Sequence, residues 1–309
     1  MDGLRTASAD GIWDSLIPCG LVLLLVILAW RFPKQFRRSL RRWGRSPERP
    51  SAERIDLALL TGRIKSLVRP TLLLIPAMEA GFSKLGGDPE LPEGLAWPNG
   101  HERPRTFLCQ IDFAALPQTV IEWLPNEGRL YAFYDHDSHG LADVVCILHS
   151  VEPAGAPAVT PKGVWRSFHE RRVTFVGRTS APSFDWLGMA PHETGLDDAA
   201  LGALDKLANA PPSDEIQHRI GGYPNEIQPE RMWLSCEHLA RGLPDPDWDE
   251  EVPPAIQRAA KQWRLLLQVD SDSALKMNFG DGGRLYVFIR ERDARRGDFS
   301  KTVALWQTY

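Results

Sequence analysis

Two short segments of this 309-residue chain carry the same polar pair at the same spacing. Gln110-x-Asp112 lies in Phe107-Leu108-Cys109-Gln110-Ile111-Asp112, and Gln268-x-Asp270 lies in Leu265-Leu266-Leu267-Gln268-Val269-Asp270. Residues two apart on a strand share a face. Each Gln and Asp would therefore stand side by side, grouped with Leu108 or Leu266, while Cys109, Ile111 and Phe113 face the other way. Brought together by a twofold, the two pairs would line one polar pocket. The simpler role, favoured on strands otherwise apolar, is that each carboxylate holds a turn by accepting backbone N–H groups. His218, Gln228 and Asp281 add polar groups to the second segment's neighbourhood only. A histidine there could serve as a general base, so a hydrolase-like or metal-assisted enzyme would draw on His218, Asp270 and Asp281. No nucleophile accompanies His218 at a recognisable spacing, which favours a hydrogen-bonded structural histidine. As a binding surface the same region offers Gln110, Asp112, Gln228, Gln268 and Asp270.

Asp135-His136-Asp137-Ser138-His139 is dense in metal-ligand types. In extended backbone Asp135, Asp137 and His139 share a face, but zinc needs three or four converging ligands with supporting partners. A solvated loop is the plainer expectation, and neither a metal nor any other cofactor is expected. Asp270-x-Asp272 with Asp281 resembles a calcium loop without the glycine and terminal glutamate of an EF-hand. P-loop, GxGxxG, GxSxG and HExxH patterns are absent. The four cysteines form no CxxC pair, and Cys109 reads as a buried thiol.

The elements that would position these groups repeat. Ser83–Pro89 (SKLGGDP) echoes His218–Pro224 (HRIGGYP), and Gly128–Tyr134 (GRLYAFY) echoes Gly283–Ile289 (GRLYVFI). A weaker echo joins Asp143–His149 to Thr302–Thr308. The order is the same in both copies. Two copies make a pseudo-twofold duplication, with repeat halves at about 71–150 and 216–309, rather than a solenoid. Gly-Gly-x-Pro supplies a turn that bulky residues could not make. A helix is expected from Ser51 through Val68, stopped at Arg69-Pro70; others are expected at Asp197–Asn209 and Ala255–Arg264. Thr71–Ile75 and many short Val-, Phe-, Tyr- and Trp-rich runs read as strands among 25 Gly and 25 Pro. The expected fold class is α+β: a sheet-rich soluble domain over 51–309, built from two pseudo-twofold repeats.

These blocks, with LPEGLAWP, FLCQIDF, LPNEGRLYAFY, HRIGGYPNEIQ, LLLQVDSD and GDGGRLYVFI, resemble the YwqG-like family, a bacterial domain of unknown function. The likeness runs from about Phe82 to Phe299. It implies a duplicated α+β domain, no established activity, and an association with immunity-type proteins beside secreted toxins.

Composition completes the picture. Residues 1–49 hold nine Lys/Arg and four Asp/Glu, so the remaining 27 Lys/Arg and 36 Asp/Glu make the body acidic and disfavour nucleic acid as partner. Ser15–Trp30 is an uncharged apolar run with Trp13 and Trp30 at its ends, long enough for a membrane span. Seven cations follow it between Arg31 and Arg45, with no acid among them. Residues 1–14 are then an external N-terminus, 15–30 a transmembrane helix, and 31–50 a basic collar and linker on anionic lipid. The body faces the cytoplasm from the inner membrane. A signal peptide would carry its charge on the other side. Eight tryptophans beyond residue 49 suit a large core or an aromatic recognition surface, so the expected partners are the bilayer and a protein.

Overall fold

The computed structural model describes residues 57–309 apart from 80, 139–141, 185, 188, 190–195, 209–215, 229 and 247–250. The apolar run at 15–30, the basic collar, Ser51 and His139 lie outside the described residues. Among the described residues no helix is long and apolar enough to cross a membrane.

Among the described residues ten strands make one sheet in which every neighbouring pair is antiparallel. They are β1 (Arg69–Pro76), β2 (Lys84–Leu85), β3 (Thr106–Asp112), β4 (Arg129–Tyr134), β5 (Val145–Ser150), β6 (Arg171–Ser180), β7 (Arg219–Gly221), β8 (Trp263–Asp270), β9 (Arg284–Arg290) and β10 (Val303–Gln307). Their spatial order is β10-β9-β8-β7-β1-β6-β2-β3-β4-β5. The order is symmetric about the central β1–β6 pair, and it contains an exchange. β1 opens the first half yet pairs with β7 of the second; β6 precedes the second half yet pairs with β2 of the first. At the far ends, Ala142 exchanges two backbone hydrogen bonds with Ala304 in β10, at 2.9 and 3.3 Å. The sheet is thereby a nearly closed barrel.

The repeat is visible in the register. Gln110 stands opposite Tyr131 and Gln268 opposite Tyr286, and each copy slips by one residue just before. That bulge corrects one reading of the strand faces. Leu108 and Leu266 join Cys109 and Leu267 in the barrel interior, while Phe107 and Leu265 stay with the outer clusters. An extra residue in a ladder turns the next side chain over, and both copies use it identically. The last echo is also displaced. Leu148 lies opposite Tyr131 and Leu305 opposite Tyr286, so Leu148 matches Leu305 and not Gln307. The error is even, so it leaves the faces unchanged.

Two of the expected helices end earlier than expected, and others are new. α1 (Leu57–Ser66) packs Leu60 and Ile64 against Ala181, and Arg69-Pro70 already belongs to β1. Pro70 is tolerated because β1 gains its β7 partner only from Thr71 onward, so no ladder bond needs the missing N–H on that side. α2 spans Asp198–Ala208, and α4 (Pro254–Ala260) ends before Trp263 starts β8. α3 (Met232–Ala240) was not foreseen. Seven of its nine residues are buried, so it has no polar face to give a 3.6-residue period. It lays Met232 and Cys236 over the outer face of β8–β10, against Trp263, Leu265, Phe288 and Leu305. The segment around Leu91 and Trp97 covers the first copy's outer face instead. A short α5 (Glu291–Ala294) follows β9.

Candidate functional site

In both copies the strand glutamine grips the Gly-Gly-x-Pro loop. Gln110 accepts the Glu90 N–H at 2.9 Å and donates to the Phe82 carbonyl at 2.8 Å. Gln268 accepts the Asn225 N–H at 2.9 Å and donates to the Gln217 carbonyl at 3.1 Å. Tyr131 and Tyr286 donate to the carbonyls of the same two loop residues, Glu90 and Asn225. Paired glycines let the loop fold back: Gly86, Gly87, Gly221 and Gly222 all have φ between 62° and 73°. The two polar pairs do not converge. β3 and β8 have four strands between them in the sheet, which puts the pairs on opposite sides of the barrel.

The carboxylates have different tasks. Asp112 caps the 3₁₀ turn Phe113–Ala115 by accepting the Ala114 N–H at 3.1 Å. In the second copy that task falls to Asp272, which accepts the Ala274 N–H at 2.9 Å. Asp270 is buried and instead accepts the Gln217 N–H and Gln268 Nε2, both at 2.8 Å, with Arg284 Nε at 3.2 Å. Its own N–H donates to His218 Nδ1 at 3.2 Å, the role Ser83 Oγ has for Asp112 at 3.0 Å. An accepting Nδ1 places the ring proton on Nε2, which faces Asp272 Oδ2 at 3.6 Å. The His218 ring, with the Arg171 guanidinium at 2.7 Å, holds the Asp272 carboxyl down at about 2 against the effect of burial. His218, Gln268 and Asp270 therefore form one network that is closed to solvent.

Asp281 and Gln228 are elsewhere. Asp281 is exposed in the turn before β9, where its carbonyl accepts the Tyr309 N–H. Gln228 interlocks with Gln307 and donates to the Thr308 carbonyl at 2.6 Å. In the 135–139 cluster, Asp135 accepts the His101 N–H and pairs with the His101 ring at 2.7 Å, and Asp137 accepts Arg103 Nε at 2.6 Å. Among the described residues no group of three ligand-type side chains is placed to hold a metal. Burial pushes the Cys109 thiol up to about 12 and the Cys236 thiol well above its usual range.

The copies differ in charge. Lys84 is buried between Glu170 at 2.8 Å and Glu90 at 3.5 Å. Its counterpart Arg219 has Asn225 in place of Glu90, and Thr71 in place of Glu170 by the strand register. Burial lowers Arg219 to about 10, partly offset by Asp270.

A cleft of about 400 Å³ opens beside the second Gly-Gly loop, lined by Arg69, Trp123, Gly222, Arg264, Glu291 and Arg295 among others. Glu291 spends both oxygens, one on Arg264 at 2.9 Å and one on Arg295 at 2.8 Å. Arg69 is different. Its guanidinium lies over the Tyr223 ring at 4.4 Å and beside Trp186 at 5.2 Å, and burial lowers its pKa. In sequence Arg69 reads only as the stop of a helix, because its aromatic partners lie more than 100 residues away.

The architecture is that of a duplicated antiparallel barrel with its polar asymmetry in the second copy. Residues 83–308 match the family model of DUF1963, a domain of unknown function, and the chain belongs to that family. No curated protein matches the chain.

Proposed function

We propose that this chain is a single-pass inner-membrane protein whose YwqG-like domain faces the cytoplasm and binds a protein partner, in the manner of an immunity-type module. The apolar run at 15–30 followed by the basic collar supports the tether and its orientation. The binding role rests on one contrast. The side chains with catalytic-type chemistry, His218 and Asp270 foremost, are buried and bonded to the loop they hold, whereas the cleft keeps an Arg69 guanidinium that stacks on rings and makes no hydrogen bond or ion pair among the described residues. In-cell crosslinking followed by capture of the detergent-solubilised full chain tests the reading. Recovery of one defined protein partner is expected. Recovery of none, together with turnover that is lost in His218→Gln, would replace the binding module by an enzyme.

A further inference from the structure

We propose that the cleft beside Arg69 is a receptor for a single carboxylate carried on an apolar body, such as the C-terminus of a peptide. The proposal rests on the binding reading above and names the chemistry that the site recognises.

Charge sets the number of anionic groups. Three guanidinium groups and the carboxylates of Glu122 and Glu291 line the cleft, leaving one positive charge. Arg264 and Arg295 share Glu291, whereas the Arg69 guanidinium makes no ion pair among the described residues. With its face on Tyr223 and Trp186, Arg69 is held by rings that leave the N–H edge unspent. That edge is a fork matching a carboxylate in a bidentate pair. Shape sets the remainder. Half-buried Trp123 and Val120 pack on the barrel core and line the cleft, giving an apolar wall beside the cation. About 400 Å³ lies in the range of small-ligand sites.

The internal duplication supplies a control. Leu73 pairs with Arg219 as Arg172 pairs with Lys84, so the counterpart of Arg69, four residues earlier, is Phe168. Phe168 is 3% exposed and part of the barrel core. The repeated fold thus accepts an apolar side chain at this position, so the cation is particular to the cleft side.

The test is calorimetric titration of the full chain, kept in mild detergent, with N-acetyl-phenylalanine, its neutral amide and inorganic phosphate. The carboxylate should bind, with the amide and phosphate each weaker by about tenfold or more. Arg69→Gln should lose about tenfold, Arg69→Lys less, since it keeps charge without the fork. Trp123→Ala should weaken the carboxylate without touching the Arg69 stack, which keeps the test valid if Arg69 variants fail to fold. Equal binding of acid and amide, indifference to these substitutions, or phosphate binding as tight as the carboxylate would each overturn the assignment. Capture of a protein partner by Arg69→Gln as efficiently as by the natural chain would leave the binding reading standing and remove this cleft from it.

Discussion

At the residue scale the two strand carboxylates separate into a turn cap and a network hub. Asp112→Ala removes one acceptor from a short turn and should cost about 1 kcal/mol. Asp270→Ala removes the carboxylate that Arg284, Gln268 and the Gln217 N–H share inside the fold, so about 3–5 kcal/mol is expected. Urea titration of both variants checks the ranking; equal losses would contradict it. Asp272 predicts a pH effect. Its folded pKa of about 2 lies below the ordinary 3.8, so its stabilisation is complete above pH 4 and disappears as pH falls toward 2. Asp272→Asn should flatten that part of the acid-unfolding profile. The Gln-x-Asp pairs were legible because they repeat, but what they grip was not, since their partners are main-chain groups on a loop that sequence does not place. Arg69 was illegible for a related reason: a stack on distant rings leaves no spacing to read.

At the element scale, β3–β5 and β8–β10 could be read from their repeated blocks, whereas the Gly-Gly blocks read as turns and hid β2 and β7. β6, α3 and the shared bulge could not. A period of two identifies a strand but never names its neighbour, and a helix buried on nearly every side shows no period at all. What α3 lacks in pattern it supplies in a buried charge. Glu237 accepts Trp263 Nε1 at 3.0 Å, Arg290 at 2.8 Å and Arg241 at 2.7 Å. Burial raises its pKa, and these donors outweigh that and keep it below the usual glutamate range. Glu237→Ala would leave Arg290 and the Trp263 indole unpaired beneath the helix. A loss of about 3 kcal/mol is expected, read as a shift of the denaturant midpoint. A change under about 0.5 kcal/mol would show that α3 is held by its apolar contacts alone.

For the molecule as a whole, the exchanged strands make each half dependent on the other. Segments covering 57–160 and 161–309, produced separately, should each lack cooperative unfolding and should regain it when co-expressed, because β7 needs β1 and β2 needs β6. Independent cooperative melting of either segment would contradict that dependence. The orientation proposed for the chain makes a second prediction. A reporter active only in the periplasm, fused after Tyr309, should stay silent, and one active in the cytoplasm should function. The reverse outcome would place the domain on the other side.

The exchange also sets a schedule for synthesis. Leu72 leaves the ribosome early, yet it pairs with Gly177 and Ile220, roughly 100 and 150 residues later. At about 5–20 residues per second, the first strand waits roughly 5–30 s for a neighbour. Through that interval a run of leucines, of which Leu72 and Leu74 end buried, is open to any other edge it meets. A nascent chain with this topology is therefore most exposed to aggregation in the middle of its translation, before the second copy arrives to claim the strand.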